Sequence, residues 1–140
     1  MRRIEPGDIP ALLERFGMFE DGLVTAVRIL RLPAPARGAV VVEVDVEAMD
    51  RSAGMAWRLV RFAVSGVIEH EFPRSSRYMY DVLSFGLQLD VSGGRCVLAL
   101  APTPAPEEWD PDDLSHGGLY GKQYVIGRAC EYEVLEGPLV

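Results

Sequence analysis

The sequence predicts an α+β domain: one short N-terminal helix packed on a twisted, mainly antiparallel sheet of about six strands, with a partly open barrel as the variant of that plan. Three patterns point there. Val40, Val42, Val44 and Val46 alternate with Glu43, Asp45 and Glu47, a period of two that separates a dry face from a wet one. Ser92-Gly93-Gly94 joins two alternating runs at hairpin distance. Ile9, Leu12, Leu13 and Phe16 recur at i, i+3, i+4 and i+7, which lines four apolar side chains along one helical stripe.

The helix is expected from Asp8, a capping residue, to Gly17, with Pro10 tolerated in its first turn. Being short, it needs a sheet to lie on. A first strand follows over Leu23 to Leu32, partly covered on both faces, and Pro33 to Gly38 ends it. After the valine strand, a bend at Met49 to Gly54 leads to a strand over Ala56 to Val64. Its alternation changes phase near Leu59-Val60, which predicts a bulge. Val67 to Phe72 forms a short strand with Ile68, His70 and Phe72 on one side. Tyr78 to Val91 and Arg95 to Ala101 are the arms of the hairpin, with Leu83, Phe85, Leu87, Leu89 and Val91 on one face. Pro102 to Asp113 is too rich in proline and acid for a regular element. A last strand runs from about Lys122 to Leu135, interrupted by Arg128.

No repeat or linker divides the chain, so the 140 residues are expected to form a single domain over 1–140. No stretch approaches the ~20 apolar residues of a spanning helix. Met1 to Pro6 turns polar after two arginines, so no secretory signal and a cytoplasmic location are expected. The formal charge of −7 argues against nucleic acid as a direct partner, because phosphate binding needs a basic surface, and it permits a basic protein partner. Cys96 and Cys130 are too few and too far apart for a metal knuckle or a redox motif, and both sit in apolar runs, so buried free thiols are expected in preference to a disulfide between them.

Chemistry-bearing residues are sparse. His70 shares a side with Ile68 and Phe72 and is expected in the core or at its rim. His116 lies beside Asp112 and Asp113 but lacks a converging third ligand unless His70 supplies one. Ser115 next to His116 does not make a triad, and Gly117-Gly118 opens no helix that could cradle phosphate. No catalytic residue, metal site or cofactor is therefore assigned. A binding surface is the stronger expectation. Glu43, Asp45 and Glu47 on one strand, Glu131 and Glu133 on another, and Glu107, Glu108, Asp110, Asp112 and Asp113 in the loop could join into one negative field, with Trp109 as its aromatic anchor. The competing view is that these acids are the wet side of a sheet and that Trp109 folds back over the core.

The passage Phe16-Gly17-Met18-Phe19-Glu20-Asp21-Gly22-Leu23-Val24, a short helix running through an acidic turn into an outer strand, resembles small bacterial proteins of the toxin-immunity type. Those often carry His-Asp at the turn; here Glu20 stands where the histidine would be, and the likeness covers the first third of the chain. The resemblance implies a non-catalytic inhibitor of a toxin domain, and an acidic surface would suit a basic nuclease. Two other readings stand beside it. One is a ligand-binding or enzymatic barrel with a pocket near Trp57, Tyr78, Tyr80 and Tyr124; the other is a structural domain that forms a homodimer through an exposed edge strand.

Overall fold

A computed structural model describes residues 1–33, 39–72, 82–100, 109–112 and 123–135. Its strands are β1 (Arg2–Arg3), β2 (Gly22–Arg31), β3 (Val40–Asp50), β4 (Ala56–Ser65), β5 (Glu69–Glu71), β6 (Val82–Leu83), β7 (Leu87–Ser92), β8 (Arg95–Leu100), β9 (Tyr124–Gly127) and β10 (Ala129–Leu135), with one α-helix, α1 (Ile9–Arg15). The predicted α+β class is correct, but the strands build two open antiparallel sheets and no closed barrel. One has six strands in the order β1-β10-β4-β3-β2-β6, the other four in the order β5-β9-β8-β7.

The two sheets face each other across one core. Val42, Val44 and Val46 of β3, Val60, Phe62 and Val64 of β4, and Cys130 of β10 meet Leu87 and Leu89 of β7, Cys96, Leu98 and Leu100 of β8, and Val125 of β9. Helix α1 adds Leu12 and Leu13, with Phe16 just beyond it, so the apolar stripe reaches the core as predicted, while Ile9 is half-buried. Asp8 does not cap α1. Its carboxylate accepts a bond from the Glu5 backbone N–H at 2.9 Å and so closes the short 3-10 turn Pro6–Asp8 that precedes the helix. The far end of α1 is fastened to β3, because Arg15 donates to both carboxylate oxygens of Asp50 at 3.0 and 2.8 Å.

Between α1 and β2 the backbone takes positive φ at Met18 (62°), Phe19 (59°) and Asp21 (61°), each costing roughly 1–2 kcal/mol in a non-glycine residue. Aromatic packing holds the turn there. The Phe19 ring is fully buried, stacks on Phe16 at 5.0 Å and meets Phe62 edge-on at 5.7 Å.

Three expected strands are drawn differently. The β4 pairing with β3 runs without a shift from Asp50↔Ala56 to Val42↔Val64, so there is no bulge at Leu59-Val60; the irregularity lies in β2, between Val24 and Ala26. The first hairpin arm is broken at Ser84-Phe85-Gly86, which leaves Phe85 exposed and assigns Leu83 to the six-stranded sheet; the part before Val82 lies outside the described residues. The Gly93-Gly94 turn itself is as expected: both glycines have positive φ, 58° and 74°, the conformation that matches hairpin twist. The last strand is two strands. Arg128 marks the point at which the chain leaves the four-stranded sheet as β9 and enters the six-stranded sheet as β10.

Candidate functional site

The predicted acids do not form one field. Directly opposed strand residues share a face, so Glu43, Asp45 and Glu47 lie on the outer face of the six-stranded sheet, opposite the core valines. Trp109, Asp110 and Asp112 belong to the other side of the molecule. Arg95 lies on the outer face of the four-stranded sheet and donates to Asp112 Oδ1 and to the Pro111 carbonyl, both at 2.6 Å, so this stretch is tethered there. Trp109 is half-buried, with its indole N–H shielded and unpartnered among the described residues, and only Asp110 and Asp112 are open to water. Glu107, Glu108 and Asp113 lie outside the described residues, as do His116, Ser115, Tyr78 and Tyr80.

The acids of β3 are not free either. Register sets Arg28 of β2 opposite Glu43, and Arg61 of β4 and Ala26 of β2 on either side of Asp45. Arg28 donates Nε to Glu43 at 2.9 Å and Nη2 to Asp45 at 2.8 Å; Arg61 donates Nε and Nη2 to the two Asp45 oxygens at 2.8 and 3.1 Å. Glu133 of β10 adds a longer contact to Arg61 at 3.7 Å. Under these two guanidinium groups Asp45 is only 4% exposed although it sits on the solvent side of a sheet. Burial pushes its carboxyl up, but the hydrogen bonds from Arg61 and Arg28 outweigh that and hold it below the ordinary carboxylate range. Both arginines are raised in turn, Arg28 chiefly by Glu43 and Arg61 chiefly by Asp45. The centre of this face is an ordered, internally neutralised strip.

Beside the strip lies an apolar patch that sequence reasoning missed. Met49 and Trp57 are directly opposed, Leu59 follows Trp57 on the same face, and Glu47 stands between Leu59 and Leu23. Trp57 is 44% exposed, Met49 38% and Leu23 37%, and Met55, in the turn before β4, is exposed as well. The signal was present in the phase change of β4. Trp57 and Leu59 face outward while Val60 and Phe62 face the core, so the strand is apolar on both sides and no extra residue is involved. Glu47 makes no ion pair among the described residues, and the neighbouring turn exposes Glu20 and Asp21.

Trp57 and Tyr124 lie on the outer faces of different sheets, so they cannot line one pocket between helix and sheet. Tyr124 is buried, and burial followed by the negative charge of Glu69 raises its phenol; Glu71 of β5 lies directly opposite it. His70 is opposite Val125, which puts it on the inner face of an edge strand; it is exposed, with its ring stacked on Phe72 at 6.0 Å, so it lies at the rim of the core and not inside it. Among the described residues no three metal-binding side chains converge, and no helix is long and apolar enough to cross a membrane.

Comparison with protein-family models, with curated proteins and with solved structures finds no match for this chain.

Proposed function

We propose that the chain is a non-catalytic protein-binding domain of the immunity type, which occludes a basic partner with the outer face of its six-stranded sheet. The observation that carries this is the Leu23–Met49–Trp57 patch on the outer face of the six-stranded sheet, next to a strip whose charges are already paired. A half-exposed tryptophan opposite a methionine matches the composition of interface anchors, and methionine adapts to irregular partners. Glu47, Glu20 and Asp21 rim the patch with negative charge, and the whole chain carries −7, which favours encounter with a positively charged surface. The resemblance at Phe16 to Val24 supports the same reading, since that turn leads directly into Leu23. Trp109 passes the anchor role to Trp57, because it is half-buried on the opposite sheet.

The test is capture of partners by the full chain from its native host, with Trp57→Ala and Trp109→Ala as paired variants. A basic protein retained by the wild type should bind at least about 30-fold more weakly to Trp57→Ala, the scale of a hot-spot loss, and more weakly as salt rises. Trp109→Ala should bind normally. A partner indifferent to Trp57, or one that is acidic and insensitive to salt, would refute the assignment. So would a chain that occupies this face by pairing with its own copy in sedimentation.

A further inference from the structure

Two nucleophilic side chains remain that the binding reading does not use. Cys96 and Cys130 are both free and both fully buried. They belong to different sheets: Cys96 is paired with Gly127 across β8 and β9, and Cys130 with Val64 across β10 and β4. Gly127 brings these two pairs together. A Cβ on Gly127 would stand 2.5 Å from Val64 Cγ1 and 2.6 Å from the Ser65 carbonyl, so only glycine allows the sheets to approach this closely. Because opposed residues share a face, Cys96 projects alongside that missing Cβ, toward the same spot from which Cys130 projects beside Val64. Cys96 and Cys130 thus belong to the two strand pairs that touch at the Gly127–Val64 contact, one on each side of the core. The Cys130 thiol donates to the Glu131 carbonyl at 3.7 Å, and the neighbouring Cys96 side chain, followed by burial, pushes it up.

We propose that Cys96 and Cys130 are a disulfide-forming pair which covalently joins the two sheets when the chain equilibrates with a low-molecular-weight disulfide such as oxidised glutathione. In the first step one cysteine thiolate attacks the glutathione disulfide, forming a mixed disulfide and releasing one glutathione thiolate. The second cysteine then attacks the protein sulfur of that mixed disulfide and releases the other. Two thiol protons pass to the two glutathione thiolates, the two protein sulfurs lose two electrons between them, and glutathione disulfide is reduced to two thiols. Both sulfurs lie out of reach of solvent in the closed fold, so exchange takes place during folding or in a transient opening of the sheets, and the folded, reduced protein reacts slowly. The inference is independent of the proposed partner, because neither cysteine touches the outer face.

The test uses the full chain, refolded in glutathione buffers spanning reducing to oxidising ratios, quenched with an alkylating agent and read by intact mass and peptide mapping. The expected result is a monomer with no alkylatable thiol and a Cys96–Cys130 cross-linked peptide. Closing a loop of roughly 35 residues should raise the melting temperature by about 10 °C, and a reductant should abolish the rise. Cys96→Ala and Cys130→Ala should each end as single-thiol monomers without the thermal shift. If either variant fails to fold, the ratio dependence of the wild-type cross-link carries the same information. Two alkylatable thiols at the oxidising extreme, glutathione retained on either cysteine, cross-linked dimers, or a bridge that lowers the melting temperature would each overturn the proposal.

Discussion

Asp50→Asn should destabilise the protein by about 3 kcal/mol, and the loss should shrink in acid. Asp50 is 1% exposed and accepts four hydrogen bonds: Arg15 Nε at 3.0 Å and Nη2 at 2.8 Å, and Ser52 N at 2.9 Å and Oγ at 2.6 Å. An amide of the same shape can keep an acceptor for Ser52 but turns an N–H toward Arg15. The bond from Arg15 Nη2 to Oδ2 is then lost and the one from Nε, which shares Oδ1 with Ser52, loses its charge assistance, together about 3 kcal/mol at roughly 1.5–3 kcal/mol per charge-assisted bond, with part offset because the Arg15 side chain, 35% exposed, regains water. Urea unfolding should show a midpoint lower by about 1.5 M, taking a slope of roughly 2 kcal/mol per molar. The sign with pH is fixed by the direction of the shift. The hydrogen bond from Arg15 leads in holding the Asp50 carboxyl far below its ordinary value, opposed by burial and aided by Ser52. Its stabilisation is therefore complete above the unfolded-state value near 4 and is lost progressively as pH falls toward the folded one. The gap between wild type and variant should start to narrow as pH falls below about 4 and keep narrowing with further acidification. A difference under about 1 kcal/mol at neutral pH, or one that stays constant from pH 7 to pH 3, would mean that Arg15 and Asp50 do not fasten α1 to β3 in solution.

Two further perturbations probe the sheets. Asp45→Ala should cost about 2 kcal/mol in urea unfolding, because it leaves Arg28 and Arg61 facing each other, whereas Asp45→Leu combined with Arg28→Met and Arg61→Met should be at least as stable as wild type. Like Asp50, Asp45 is shifted downward, so its contribution is present at neutral pH and fades on acidification; the triple variant should lack that part of the pH dependence. Gly127→Ala should cost about 3 kcal/mol in the same assay, since its methyl has to displace Val64 or the Ser65 carbonyl, and an unchanged midpoint would contradict the close approach of the sheets.

How much of this was legible in the residues depended on whether one face or two were apolar. In β3 the valines are buried and the acids face out, so a period of two reads cleanly; the β7–β8 turn carries its own signature in two glycines. In β4 both faces are apolar at one end, and the same rule mistook an exposed patch for a slipped register. From Tyr124 to Leu135 the alternation gives no hint of a change of sheet beyond Arg128, because sheet membership is decided by partners distant in sequence. The fate of the acids was hidden for that reason too. Glu43 and Asp45 are neutralised by Arg28 and Arg61, which lie 15 to 17 residues away and become neighbours only through strand pairing. Trp109 stands out because acids surround it in sequence, while Trp57 sits among apolar neighbours and enters only as a pocket-lining candidate.

The corner at which β9 hands over to β10 is mirrored on the adjacent strand. Ser65 ends β4 opposite Ala129, its carbonyl accepts from the Arg128 N–H at 2.9 Å, and the Ile68 N–H then bonds Ile126 at 2.8 Å as β5 begins. Two strands thus pass together, still paired, from one layer to the other, as a single folded ribbon. Neither layer owns that ribbon, so neither can melt and leave the other intact: the domain has to open as one cooperative unit, and a force applied to the Trp57 face is carried round the bend into the smaller sheet.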